Sequence, residues 1–236
     1  MKLEQISPDS VLYWQDGLFK LNATILFTWV LMAAMVILSI IATRRMRIRG
    51  PIPRWQAVLE MLVETIRKQI HEISGQPPER YLPFIGTLFL FVALSNLLAV
   101  VPFWQPPTAS LSTTAALAIC VFCAVPIYGV IFRGFVPYLK HYIEPSPLML
   151  PFNILSELSR TLALAVRLFG NIMSGVKIVG ILLAIVPLIF PVVMNLLGLL
   201  TGMIQAYIFA VLSIVYIASG MEAQEEDEQE EAEATS

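Results

Sequence analysis

Ala23-Thr-Ile-Leu-Phe-Thr-Trp-Val-Leu-Met-Ala-Ala-Met-Val-Ile-Leu-Ser-Ile-Ile-Ala-Thr43 runs without a charge into Arg44-Arg45-Met46-Arg47-Ile48-Arg49. A helix of that length covers the roughly 30 Å hydrocarbon core of a bilayer. The arginines that close it mark the cytoplasmic side, because basic residues are retained there, so residues 1–22 are expected outside. The rest of the chain agrees with a membrane setting. It has 236 residues, 57% hydrophobic and only 14% charged, where a water-facing domain needs about 25% charged residues. Two cysteines and a net charge of -2 exclude a disulfide scaffold and a nucleic-acid partner. Residues 1–17 carry Glu4, Asp9 and Asp16 and lack the order of a cleavable signal, so the first span is expected to be retained.

Outward from that span, Gly50-Pro51-Ile52-Pro53 forces a turn. From Arg54 to Ile73 the apolar residues Val58, Leu59, Leu62, Val63, Ile66, Ile70 and Ile73 recur at helical spacing, with Glu60, Glu64, Arg67, Lys68 and Glu72 opposite. This predicts an amphipathic helix on the cytoplasmic interface within residues 44–82. Residues 83–102 and 111–133 read as spans joined by Phe103-Trp104-Gln105-Pro106-Pro107, with Trp104 at interfacial depth. Arg133, Lys140 and His141 mark the inside again. Residues 147–220 hold two long apolar stretches separated near Pro187. The fold class is therefore an all-α integral membrane protein with about five transmembrane helices and one interfacial helix. Eight of the 17 acidic residues fall between Glu222 and Glu233, so 221–236 is expected to be a disordered cytoplasmic tail.

Arg160, Arg167 and Lys177 lie inside apolar sequence. A charge at the centre of a span costs about 2.5–3.5 kcal/mol even on the lenient scale, and such a residue faces a cavity, a partner or an ion path. Arginine stays protonated, so it acts as a fixed positive charge and never as a proton relay. With Arg167 at zero and about 100° per residue, Arg160 falls near 20°, Ala163 near -40°, Asn171 near 40°, Ser174 near -20° and Glu157 near 80°. The result is a polar and small-residue stripe some 20 Å long. The other reading, an interhelical seam with a snorkelling arginine, requires an escape route that the flanking apolar residues do not offer. On the last helix Gly198, Thr201 and Gln205 recur on one face, with Ser213 and Tyr216 further along. Amide and hydroxyl groups there can hydrogen-bond across a helix pair. Cys120-Val-Phe-Cys123 lacks a second pair or nearby histidines, so packing is the better reading and no metal or other cofactor is expected. No phosphate cradle or nucleophile–base set is present, so the chain is not expected to be an enzyme.

Ala165-Val-Arg167-Leu-Phe-Gly-Asn171 closely resembles the signature of subunit a of F-type ATP synthases. Pro83-Phe-Ile-Gly-Thr-Leu-Phe-Leu-Phe through Ser95-Asn96 and Pro102, Pro151-Phe-Asn-Ile-Leu-Ser-Glu157-Leu-Ser-Arg160, and Gln205-Ala-Tyr-Ile-Phe-Ala-Val-Leu agree with it in order. The resemblance implies a stator channel with two half-channels that carry H+ to and from the carboxylates of a c-subunit ring. Arg167 would separate the half-channels, Gln205 would be its partner, and Asn171, Ser174 and Thr201 would lie beside it. Glu157 would sit near the cytoplasmic half-channel. It further implies peripheral-stalk b subunits as partners, tilted last helices against the rotor, and a bacterial plasma membrane.

The departures matter too. Where many members carry acids or histidine, this chain has Ala99, Val176 and Gly198, and Lys177 is an added positive charge. An outer half-channel would then be lined by Asn96, Lys177, Asn195 and Gly198. That pattern resembles the N-type branch of bacterial ATPases, so Na+ stands as the alternative coupling ion. Two other classes compete: a secondary transporter, which predicts an internal repeat that is not visible, and a passive anchor, which needs no arginine at mid-helix.

Overall fold

The computed structural model describes residues 12–16, 19–46, 53–101, 104–134, 149–185 and 190–234. The apolar runs fold as helices: α1 (Ala23–Arg45), α3 (Leu82–Leu98), α4 (Leu111–Arg133), α5 (Met149–Ile185) and α6 (Phe190–Ala234), with the amphipathic α2 (Arg54–Ser74) between the first two. Four of these helices are long and apolar enough to cross a membrane, and α3 is a shorter apolar helix. Arg47, Arg49, Pro51, Lys140, His141, Glu144 and Pro187 lie outside the described residues.

Three boundaries differ from the expectation. α3 stops at Leu98, short of Pro102, because the chain tightens there: the N–H groups of Ala99, Val100 and Val101 donate to the carbonyls three residues back. The residue before a proline avoids helical backbone, so the helix must end first. The acidic tail is helical, not disordered, since α6 runs through Ala234; Glu, Gln and Ala are strong helix formers, and no glycine or proline follows Gly220. Ahead of α1, β1 (Leu12–Asp16) and β2 (Phe19–Asn22) pair antiparallel, Trp14 opposite Leu21 and Asp16 opposite Phe19. The aromatic residues of this segment favour strands, which the alternation-poor sequence did not announce.

The helices pack antiparallel, as side-chain contacts at each end show. At one end the Arg80 guanidinium lies over the Phe132 ring, 4.7 Å from its centroid, so the start of α3 meets the end of α4. At the other, Ser95 and Asn96 of α3 meet Thr108 in a short 3-10 turn, Pro107–Ala109. Between them Leu88, Val92 and Ala93 of α3, Ala118 and Val121 of α4, Leu164, Ala165 and Leu168 of α5, and Ala206 and Phe209 of α6 form one buried cluster. α1 stands apart: Trp29, Val36, Ile37 and Leu38 are all more than half exposed, as suits a lipid-facing helix. Cys120 and Cys123 are free thiols on the chain surface, so neither packs in this core.

α2 ends at Gly75, whose positive φ of 63° lets its N–H reach the His71 carbonyl at 3.0 Å. Its apolar stripe divides. Ile70 is fully buried in a second cluster with Tyr81, Ile85, Ala210, Ile214 and Ile217, and the Tyr207 hydroxyl donates to Gln69 Oε1 at 2.8 Å. Val58 and Met61 stay 66% and 71% exposed. The expected interfacial helix is thus half docked onto α6. Arg67 pairs with Glu79, whose carboxyl is held below the usual range by its own backbone N–H and then by Arg67. That pairing persists above the unfolded pKa and is lost only as pH falls through the lowered one. Removing the Ile70 side chain should free the docked half: Ile70→Ala costs about 2–5 kcal/mol at a fully buried site. Trypsin cleavage at Arg67 and Lys68 in the detergent-solubilised complex should speed up accordingly.

Candidate functional site

α5 buries Leu164, Ala165 and Leu168 against the other helices, which turns the opposite side outward. Arg160, Ala163, Arg167 and Ser174 are exposed and Asn171 is half-buried. Helical rotation thus brings these residues to one largely exposed face of α5 among the described residues. Among the described residues Arg167 has no ion pair or hydrogen bond.

Two contacts fix how α5 and α6 run past each other. The Arg160 guanidinium lies 5.7 Å from the Tyr216 ring centroid, and Asn171 Nδ2 makes a long, weak bond of 3.5 Å to the Thr201 carbonyl. Arg167 is seven residues on from Arg160 and four back from Asn171, so counting from either contact places it level with the Gln205–Phe209 turn of α6. Gln205 shares the depth of Arg167 but not its direction. It is only 5% exposed, and its Nε2 has no hydrogen-bond partner among the described residues. A buried amide whose donor is unused carries a desolvation cost that any acceptor would relieve.

The other expected residues divide. Gly198 and Thr201 are exposed, whereas Ser213 is fully buried; a turn of about 120° from Thr201 carries it to the core side. The Thr201, Ser174 and Ser213 hydroxyls bond back to carbonyls of their own helices, as Ser and Thr do in apolar helices. Glu157 is half-buried on α5, and its carbonyl accepts from the Thr161 hydroxyl at 3.0 Å. Lys177 and Asn195 are exposed. Asn96 stands apart from these, 4% exposed, donating to the Gly202 carbonyl at 2.7 Å. Sequence reasoning missed Gly202 and Thr108; the only signal was a small residue just before Gln205.

Residues 25–218 match the family described as ATP synthase A chain. The chain belongs to that family. Relatives of similar length extend the match. A chain of Crocosphaera subtropica described as ATP synthase subunit a 1 is 57% identical over 220 residues, 93% of this chain and 96% of that one. One from Acaryochloris marina, described as ATP synthase subunit a 2, is 56% identical over 98% of both. A third, ATP synthase subunit a of Albidiferax ferrireducens, is 58% identical over 91% of this chain and 93% of its own. Membership of the ATP synthase A chain family makes this chain the ion-translocating stator component of a multi-subunit membrane sector. It is a multi-pass membrane protein and not itself an enzyme. That assignment removes the secondary-transporter and passive-anchor readings.

Proposed function

We propose that the open face of α5 is the surface past which the carboxylates of a c-subunit ring travel, with Arg167 separating two half-channels. The observation that carries this reading is a permanently charged guanidinium, exposed midway along an apolar helix and level with a buried amide nitrogen that has no partner among the described residues. A rotor carboxylate crosses lipid only when neutralised by its ion. Opposite Arg167 the anion is favoured, because a nearby positive charge lowers a carboxylate pKa by about 1–3 units. The ion then leaves by one half-channel, and the site reloads from the other. The guanidinium repels a free cation and so blocks a direct leak. On this reading Gln205, buried at the depth of Arg167, donates to the passing carboxylate once its side chain turns toward the open face, and Asn171, Thr201 and Ser174 flank that point. Glu157 serves the cytoplasmic half-channel.

At 37 residues α5 is about 55 Å long, nearly twice the hydrocarbon thickness, so it lies strongly tilted. The arginines ending α1 put residues 1–22 outside and the C-terminus inside a bacterial plasma membrane. The exposed apolar α1 suits lipid and peripheral-stalk b subunits.

H+ is the coupling ion on this reading. The residues Ala99, Val176 and Gly198, none of them titratable, favour Na+ as the second one, with Lys177, Asn195 and Gly198 along the outer path. ATP-driven uptake by the whole complex in sealed vesicles decides between them. Acidification without sodium that collapses with an uncoupler is the expected result for H+. Sodium accumulation that survives the uncoupler establishes Na+.

A further inference from the structure

We propose that Asn96 is a positioning residue: from α3 it holds the Gly202 carbonyl and thereby sets where α6 places Gln205, instead of lining the ion path. The inference rests on the reading of Gln205 as part of that path. It stands against the expectation that Asn96 lines the outer half-channel.

Three observations converge on it. Asn96 is 4% exposed and both ends of its amide are engaged: Nδ2 donates to the Gly202 carbonyl at 2.7 Å, and Oδ1 accepts from the Thr108 hydroxyl at 3.4 Å. Thr108 is in turn paired with Ser95 at 3.0 Å, and all three side chains are buried. A buried, engaged amide is a structural tie and a poor lining for a path that ions must wet. Second, α6 comes as close to Asn96 as a helix can. A Cβ on Gly202 would sit 3.0 Å from Asn96 Cβ and 3.1 Å from both Cγ and Nδ2. Only glycine permits the approach that makes the bond.

Third, the tie falls where it can act. Gly202 precedes Gln205 by three residues, nearly one turn, and the preceding carbonyl, that of Thr201, takes the weaker bond from Asn171. Asparagines from α3 and α5 thus grip successive carbonyls of one turn of α6. Among the described residues Gln205 Nε2 has no acceptor, so no side-chain bond of that nitrogen fixes it and its position follows the backbone that carries it. A shift of that turn would move Gln205 relative to Arg167, and misplacement by even about 1 Å costs a positioned group much of its effect.

Asn96→Asp separates the two roles. The substitution keeps shape but removes the donor when ionised. A neutral carboxyl can still donate to the Gly202 carbonyl, whereas the anion would face it. The charged groups on α5 are Glu157, Arg160, Arg167 and Lys177; the turn, α4 from Leu111 to Phe132, and α6 from Val192 to Ser219 carry none.

The experiment is ATP-driven uptake by the whole complex in vesicles, recorded for both H+ and Na+ and expressed relative to the unsubstituted complex at each pH. The range runs from about pH 6 to about pH 9, over which any carboxyl becomes more fully ionised. Gln205→Leu is measured alongside. The expected result is uptake by Asn96→Asp that lies about tenfold below normal at the alkaline end, the scale of one buried hydrogen bond left unmade. Uptake that stays near normal across the range, or is raised by the new carboxylate, makes Asn96 a path-lining residue and overturns the proposal. So does normal uptake by Gln205→Leu, which would remove Gln205 itself from the path. If Asn96→Asp fails to accumulate in the membrane, Thr108→Val takes its place. A several-fold loss supports the tie, and unchanged uptake overturns it.

Discussion

Replacing Arg167 with alanine should abolish ATP-driven ion uptake while the chain continues to accumulate in the membrane at its normal level. The two halves of this result come from different features of the structure. Arg167 makes no ion pair or hydrogen bond within the described residues, and its neighbours Leu164, Ala165 and Leu168 carry the packing of that turn of α5. Truncation therefore leaves no buried group without a partner, and removing a charge from an apolar helix relieves a cost of about 2.5–3.5 kcal/mol. Transport has no such substitute. A rotor carboxylate that met no positive charge would keep its ion, because the 1–3 unit lowering of its pKa would vanish. Release should slow by about 10- to 1,000-fold on that scale alone. Arg167→Lys is not a conservative control, since an ammonium ion desolvated at mid-depth can lose its proton whereas a guanidinium cannot. The lysine variant should retain a fraction of the uptake that declines toward high pH. Uptake by Arg167→Ala within about twofold of normal, with the chain present in normal amount, would contradict a 1–3 unit electrostatic role.

The site was legible where its chemistry is one-dimensional. Arg160, Ala163, Arg167 and Ser174 fall on one exposed face because helical rotation alone decides it. The apolar runs gave the helices for the same reason, since an uncharged run of 21 residues has few alternatives. What could not be read was how helices face one another. Gln205 and Ser213 shared a polar face by helical count, yet both are buried, at 5% and 0% exposed. The bond from Asn96 could not be read because its partner is a backbone carbonyl more than a hundred residues away, and a carbonyl leaves no mark in sequence. The acidic tail shows the reverse error. Charge suggested disorder, while the propensity of Glu, Gln and Ala carried α6 onward.

Gly202→Ala should destabilise the complex and cut uptake, although alanine is the better helix former by about 0.8–1.0 kcal/mol. The sign depends on which atoms the new methyl meets. Far ends of long side chains would swing aside, but here the nearest atoms are Asn96 Cβ at 3.0 Å and Cγ at 3.1 Å. Cβ cannot move unless the α3 backbone moves, and Cγ is held by the bonds its amide makes to Gly202 and Thr108. The methyl must separate α3 from α6, lengthening the 2.7 Å bond it approaches. Overpacking costs about 1–3 kcal/mol, and leaving the amide unsatisfied adds about 1–3 kcal/mol, so the propensity gain is outweighed. Gly86→Ala on α3 is the matched control, because nothing lies within 4 Å of its Cβ position; there the propensity term stands alone. The measurement is the thermal midpoint of the solubilised complex together with ATP-driven uptake. Gly202→Ala should lower both and Gly86→Ala neither. If Gly202→Ala instead matched Gly86→Ala in both, α3 and α6 would stand further apart than the Asn96–Gly202 contact requires, and Gln205 would owe its position to something else.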